Sequence, residues 1–332
     1  MLRLPRLRYL RPADAAEAAA MMAEAGGRAM LVAGGTDLFP KLKRRQFTPE
    51  ALVQVPSLCG ISGDAAAGFT LGAGVTLAEI ARSSPLGEAA AGFAEAAGQV
   101  SSPALREAGT LGGNLCVDTR CNYYDQTYEW RRAAGFCLKR DGDICLVAPA
   151  SPRCWAVSST DVAPAAVVLE AEVSLVGPDG ERRIPVEALY RDDGIEYLGK
   201  RPEEVLTAVH LPPAQGRASA YVKLRRRGSI DFPLGGAAIA LRLEAGAVSS
   251  CRVALTAVAS HPLRCRQAEE FLNGRELDEE TLLEGARLAA RPSRPLDNTD
   301  LTHAWRKRMV SRTVAEALRV ARDRAGGAGR QG

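Results

Sequence analysis

Four cysteines, Cys121, Cys137, Cys145 and Cys154, follow one another at separations of 15, 7 and 8 residues, and no other segment constrains the fold as tightly. Thiols this close together either close on a metal centre or pack as inert buried side chains. Residues 116–155 add a fifth cysteine, Cys116, and six aromatic side chains, with little regular apolar periodicity. That is the pattern of an inserted loop. Structural zinc favours close pairs such as C-x2-C, and the loop has none. Iron–sulfur ligation accepts more varied spacing, but with Cys116 nearby, spacing alone does not choose the four ligands. Cys59, Cys251 and Cys265 stand apart and read as buried, inert thiols.

The redox compartment decides how such a loop is read. MLRLPRLRYL scatters its charges and has no apolar run of signal-peptide length. No segment reaches the ~20 uninterrupted apolar residues of a membrane helix. A cytoplasmic location is therefore expected, where clustered cysteines point to metal or redox chemistry before disulfides. The 332 residues favour two or three compact units, and the net charge of +4 is mild for that length. No basic block is interleaved with aromatics, so a nucleic-acid groove is excluded. The three histidines, His210, His261 and His303, are isolated. Nothing suggests a hydrolase or a nicotinamide enzyme.

Around the loop the chain has ordinary periodicity. Residues 7–33 read as strand, helix and strand, with AAEAAAMMAEA as the helix and Gly26-Gly27 ending it. The second strand runs into Gly34-Gly35-Thr36-Asp37, and a second glycine turn follows at Thr110-Leu111-Gly112-Gly113-Asn114. Paired glycines let backbone N–H groups approach a diphosphate, because no Cβ stands in the way. Neither turn is G-x-G-x-x-G, so the doubly wound dinucleotide fingerprint is absent. A helix is expected near 89–98, and 158–176 returns to apolar strand or helix text. Residues 218–259 suggest antiparallel strands, and 266–324 two or three amphipathic helices. The closing AGGAGRQG is expected to fray.

Four motifs together resemble the FAD-binding medium subunits of the xanthine oxidase and carbon monoxide dehydrogenase family. They are LVAGGTDL (Leu31–Leu38), GTLGGNL (Gly109–Leu115), STDVAPAAVVLEA (Ser159–Ala171) and YVKLRRRGSIDFPLGGAA (Tyr221–Ala238). One departure matters. In most family members the aspartate of the third motif follows the GGN turn by roughly ten residues, whereas Asn114 and Asp161 are 47 positions apart. The cysteine loop fills that gap. It is similar to the loop that carries a [4Fe–4S] cluster in the beta subunits of 4-hydroxybenzoyl-CoA reductases.

The resemblance implies an α+β fold: a two-subdomain FAD-binding (PCMH-type) region over 1–215, with the cluster insertion at about 116–156. A C-terminal domain of antiparallel strands and helices would follow over 216–325. It implies FAD contacts from Leu31, Val32, Ala33, Gly34, Gly35, Thr36 and Asp37, from Thr110, Gly112, Gly113 and Asn114, and from Asp161 and Lys223. The glycine turns would hold the diphosphate through N–H groups, and Asp161 would accept from ribityl hydroxyls. As plain structure, Asp161 would be a helix N-cap and Lys223 a solvated strand lysine. Cys121, Cys137, Cys145 and Cys154 would hold the [4Fe–4S] cluster.

No catalytic residue would lie on this chain. Substrate and molybdenum cofactor would sit on a molybdopterin-containing large subunit, and two [2Fe–2S] clusters on a small subunit, in a dimer of heterotrimers. Electrons from ferredoxin would pass through the cluster and FAD toward those partners, and 4-hydroxybenzoyl-CoA would be reductively dehydroxylated. Arg120, Arg131, Arg132, Lys139, Arg140 and Arg153 would form a cationic surface steering an acidic ferredoxin, or simply a solvated charged loop. An oxidative molybdenum hydroxylase of the xanthine dehydrogenase or CO dehydrogenase type is the alternative. A non-catalytic zinc-stabilised scaffold is the alternative of another class.

Overall fold

The computed structural model describes residues 2–328. Asp14 caps the first helix, Ala15–Ala25, by accepting the N–H of Glu17 at 2.8 Å. The helix joins strands Arg8–Leu10 and Ala29–Val32, as the sequence predicts, but these do not pair with each other. Strand Ala51–Gln54 lies between them, parallel to both. Ala18, Ala19 and Met22 of the helix pack on Ala29, Ala51 and Val53 of this small sheet.

A five-stranded antiparallel sheet forms the second subdomain. Its order is Ile61–Asp64, Gly68–Gly72, Val205–Leu211, Glu172–Gly177 and Gly180–Pro185. Helix Val162–Val168 is buried at every position, and it contributes to the central core with Phe93, Leu111, Leu115, Val173 and Val209. A third sheet follows, ordered Leu263–Arg264, Ala247–Thr256, Gly235–Glu244 and Ala218–Leu224, all antiparallel.

Strand side chains alternate between faces, and this third sheet uses both. Ala238, Ala240 and Ala254 join the central core. Ala237, Ile239, Leu241, Val253 and Leu255 face helices Arg266–Leu272, Glu279–Ala290 and His303–Ala328. The α+β architecture is thus the one expected. The last helix runs to Ala328, into the AGGAGRQG segment expected to fray; the residues after it lie outside those described. Among the described residues no helix is long and apolar enough to cross a membrane.

Two local readings change. Leu111–Leu115 is a short helix capped by Thr110, not an open turn. Cys251 and Cys265 are buried as expected, but Cys59 is exposed. The insertion has one helix, Tyr128–Ala133. Its neck is closed by paired backbone hydrogen bonds between Arg120 and Val157, each 2.8 Å.

Candidate functional site

The first glycine segment leaves the sheet at Val32, the last residue of its strand, and enters helix Leu38–Lys43. Along it, the N–H groups of Gly34, Gly35, Thr36 and Asp37 donate to no protein acceptor among the described residues. Gly35 has φ +68°, and a Cβ there would stand 2.2 Å from the Phe39 ring. Gly34 lies against the Ala108–Gly109 peptide: a Cβ would meet the Ala108 carbonyl oxygen at 1.8 Å. The two glycine segments, some 75 residues apart in sequence, therefore touch through bare backbone. Four consecutive free N–H groups on a half-exposed glycine turn suit a diphosphate. Leu31 and Val32 end the strand, and Ala33 leads from it into this turn.

The second segment is tied differently. Gly112 donates to Ala73 O at 2.8 Å, Gly113 to Thr110 Oγ1 at 3.1 Å and Asn114 to Thr110 O at 2.9 Å. These three N–H groups have partners within the protein, unlike those of Gly34–Asp37. Asn114 Oδ1 accepts from Thr160 Oγ1 at 2.7 Å and from Val162 N at 3.3 Å, joining this helix to the start of Val162–Val168.

Asp161 stands at the N-cap position of that helix, yet its side chain makes no capping bond. Oδ1 accepts from the Tyr221 hydroxyl at 2.6 Å and Oδ2 from Lys223 Nζ at 2.8 Å. Lys223 Nζ also donates to Gln99 O at 2.9 Å. Burial raises the Asp161 carboxyl above its usual range against the opposing pull of Lys223 and Tyr221. Lys223 is a fully buried tie, not a solvated strand lysine. Each Asp161 oxygen thus accepts one bond within the protein, which fixes the orientation of the carboxylate.

The sequence reading missed several further residues. Tyr221 lies two positions before Lys223 on one strand face, a spacing of two that would have paired them. Ile230 has φ +66°, a region that β-branched residues rarely occupy, and its N–H donates to Ser101 O at 2.9 Å. Such strain concentrates at ligand sites. Ile230 and Phe232 both expose about half their side chains, and the Arg120 guanidinium stacks over Phe232 at 4.1 Å. Arg120 also grips the Asp37 carboxylate, connecting the insertion to the glycine turn.

The four loop cysteines converge. Cys121, Cys137, Cys145 and Cys154 are each under 9% exposed and line one cleft with Tyr124 and Lys139. Cys116 is not among them; it packs against the central core. Burial pushes the Cys121 thiol up to about 12. Among the described residues no three His, Cys, Asp or Glu side chains close on a point, as a single metal ion needs. The thiolates of a four-iron cluster each bind a different iron, so their sulfurs surround a volume rather than a point. The donor set fits that group.

The expected cationic surface is not found. Arg120 and Arg131 are buried, and Lys139 is turned inward onto Asp118. Arg153 pairs with Asp192 at 2.9 Å and stacks on Trp155; Arg140 lies 3.3 Å from Asp141. Only Arg132 is well exposed, and Glu129 sits 3.5 Å from it. These cations hold the loop together, because a segment with few apolar residues needs polar ties to bury its backbone.

The family described as FAD binding domain in molybdopterin dehydrogenase matches residues 5–214, and CO dehydrogenase flavoprotein C-terminal domain matches 219–321. The chain belongs to the FAD-binding subunits of the molybdenum hydroxylases. It is 27% identical to the carbon monoxide dehydrogenase medium chain of Hydrogenophaga pseudoflava, covering 96% of this chain and 97% of that protein. It is 31% identical to the aldehyde oxidoreductase FAD-binding subunit of Escherichia coli, covering 92% and 96%. The structure of a carbon monoxide dehydrogenase from Hydrogenophaga pseudoflava superposes with a TM-score of 0.79 at 27% identity, over 97% of this chain and 99% of that one. Membership of this oxidoreductase family displaces the zinc-scaffold alternative. The family match supports FAD and lends a cluster on this chain no support.

Proposed function

We propose that this chain is the flavin-and-cluster subunit of a molybdenum enzyme of the 4-hydroxybenzoyl-CoA reductase kind, an electron relay whose substrate binds elsewhere. The single observation that carries this reading is the convergence of Cys121, Cys137, Cys145 and Cys154 on one buried cleft within the insertion. Bound FAD would supply one- and two-electron exchange, and a thiolate-held [4Fe–4S] cluster one-electron transfer. The residues do the positioning. The N–H groups of Gly34–Asp37 would take the diphosphate, with Thr110 and Gly112–Asn114 buttressing that turn. Asp161, held by Lys223 and Tyr221, would line the flavin site, with Ile230 and Phe232 presenting apolar surface to it; Arg120 links Phe232 to Asp37 of the turn. A molybdopterin-containing large subunit, a small subunit with two [2Fe–2S] clusters and a ferredoxin donor complete the proposal, assembled as a dimer of heterotrimers.

A second reading makes the chain the flavin subunit of an oxidative hydroxylase. The names of its relatives, among them carbon monoxide, aldehyde and xanthine enzymes, back this reading better than the reductive one. Anaerobic purification decides between them. The first reading expects about four irons and four acid-labile sulfides per FAD on this chain, lost on Cys137→Ser, and benzoyl-CoA formation by the whole complex. FAD alone, with oxidative turnover of an aldehyde or purine, would establish the second.

A further inference from the structure

A buried set of charges centred on Asp118 joins the cysteine cleft, which Lys139 lines, to the helix after the glycine turn. Asp118 holds two lysines: Lys41 Nζ at 2.6 Å and Lys139 Nζ at 2.7 Å. None of the three side chains is more than 7% exposed. The remaining bonds of Lys139 go to Thr119 Oγ1 at 2.6 Å and Gly194 O at 2.5 Å. Each partner lies beside a cysteine. Lys139 is two residues past Cys137, and Thr119 two before Cys121. Gly194 donates to Cys154 O at 3.0 Å, and a Cβ on it would stand 2.6 Å from the Cys154 sulfur. One ammonium thus ties the backbone flanking three of the four thiols.

The other lysine faces the flavin side. Lys41 belongs to helix Leu38–Lys43, which begins directly after Asp37. A second tie runs in parallel: Asp125 accepts from Cys121 N at 3.2 Å and from Arg120 Nη1 at 3.2 Å, and Arg120 holds Asp37. Buried ions tolerate few arrangements, because a broken pair leaves an uncompensated charge.

We propose that Asp118, with Lys41 and Lys139, is a positioning network that locks the cysteine cage to the flavin turn, so that filling either site tightens the other. This rests on the relay reading above. Thiolates fixed on a cluster would immobilise Lys139, and through Asp118 the helix that directly follows the free N–H groups of Gly34–Asp37. Linkage makes the effect reciprocal.

The test measures FAD affinity in the full-length chain twice, with iron and sulfide in place and after a chelator has stripped them. Wild type is expected to bind FAD at least about fivefold more tightly when loaded. Lys139→Met keeps the length of the side chain and removes its donors; it should bring that ratio toward one. A merely structural role would weaken FAD binding in both forms alike and leave the ratio unchanged, which would overturn the proposal. Should Lys139→Met fail to fold, Lys41→Met reads the same ratio from the flavin end and must also lower it. Wild type with full iron and sulfide but equal affinities would sink the network and leave the relay reading standing. Anaerobic wild type without iron or sulfide removes both.

Discussion

Gly34→Ala tests the flavin site at its tightest point. The new methyl would meet the Ala108 carbonyl oxygen at 1.8 Å, its carbon at 2.6 Å and the Gly109 nitrogen at 3.2 Å, all backbone atoms. No rotamer relieves that clash, so the two glycine segments must part by roughly 1–2 Å to regain ordinary contact near 3.5 Å. Overpacking of this kind costs about 1–3 kcal/mol, and a backbone obstacle belongs at the upper end. Parting the segments also misaligns the free N–H groups of Gly34–Asp37. A loss of about 3 kcal/mol corresponds to roughly a hundredfold weaker FAD binding. The assay is FAD content on purification, followed by the dissociation constant from flavin fluorescence. Gly87→Ala is the control: nothing lies within 4 Å of its added carbon, and it sits in helix Ser84–Ala89. Gly34→Ala protein that keeps FAD with the affinity of the control would refute the reasoning.

Three further outcomes follow from named contacts. Glu204 is 1% exposed, and its hydrogen bond from Arg182, helped by the Arg201 N–H, pulls its carboxyl down from 4.5 to about 2. Its stabilisation is therefore full above pH 4.5 and lost as pH falls through 2; it amounts to at most about 3 kcal/mol. Denaturant melts across that window should show the loss in wild type and a flatter profile in Glu204→Gln. Arg306 is buried and donates to Leu234 O, Leu296 O and Ala257 O; Arg306→Met strands three carbonyls and should cost on the order of 3 kcal/mol in unfolding measurements. Loss within about 0.5 kcal/mol would contradict that accounting. Because the loop cations are buried or paired, reduction by an acidic ferredoxin should vary little with ionic strength; a steep fall with added salt would restore the steering idea.

What was legible in the sequence follows what is local. Helix Ala15–Ala25 was readable because alanine propensity, the Asp14 cap and Gly26 all agree. The third sheet was readable because turns separate its runs. The role of Gly112-Gly113-Asn114 was not: glycine pairs look like an open turn, and only the partners Ala73, Thr110 and Val162, distant in sequence or set by helix geometry, reveal a capped helix. Charges misled for a related reason. Lys139, Arg131 and Arg120 read as surface groups by type, since such side chains are seldom buried unless paired. Their partners are Asp118, 21 residues earlier in the same insertion, and, from other parts of the chain, the carbonyls of Arg44 and Arg45 and the Asp37 carboxylate.

The insertion shows why these pairs exist. Its own buried apolar cluster is small: Cys121, Tyr124, Cys137, Cys154 and Ala156, with four half-buried neighbours. A segment of about forty residues with so little core cannot offset its ordering entropy by burial alone, and small units in that position rely on staples. One staple is visible here: the ion set centred on Asp118, whose carboxyl would be raised by burial but is held below its usual range by Lys139 and Lys41. The proposed cluster would be a second, since ligands brought together only by folding turn binding energy into folding energy. On that argument Cys121→Ser should loosen the insertion as a whole. Proteolysis within residues 122–153 should then accelerate while the C-terminal sheet stays protected, and equal protection of the loop in both proteins would count against a structural share for the thiols.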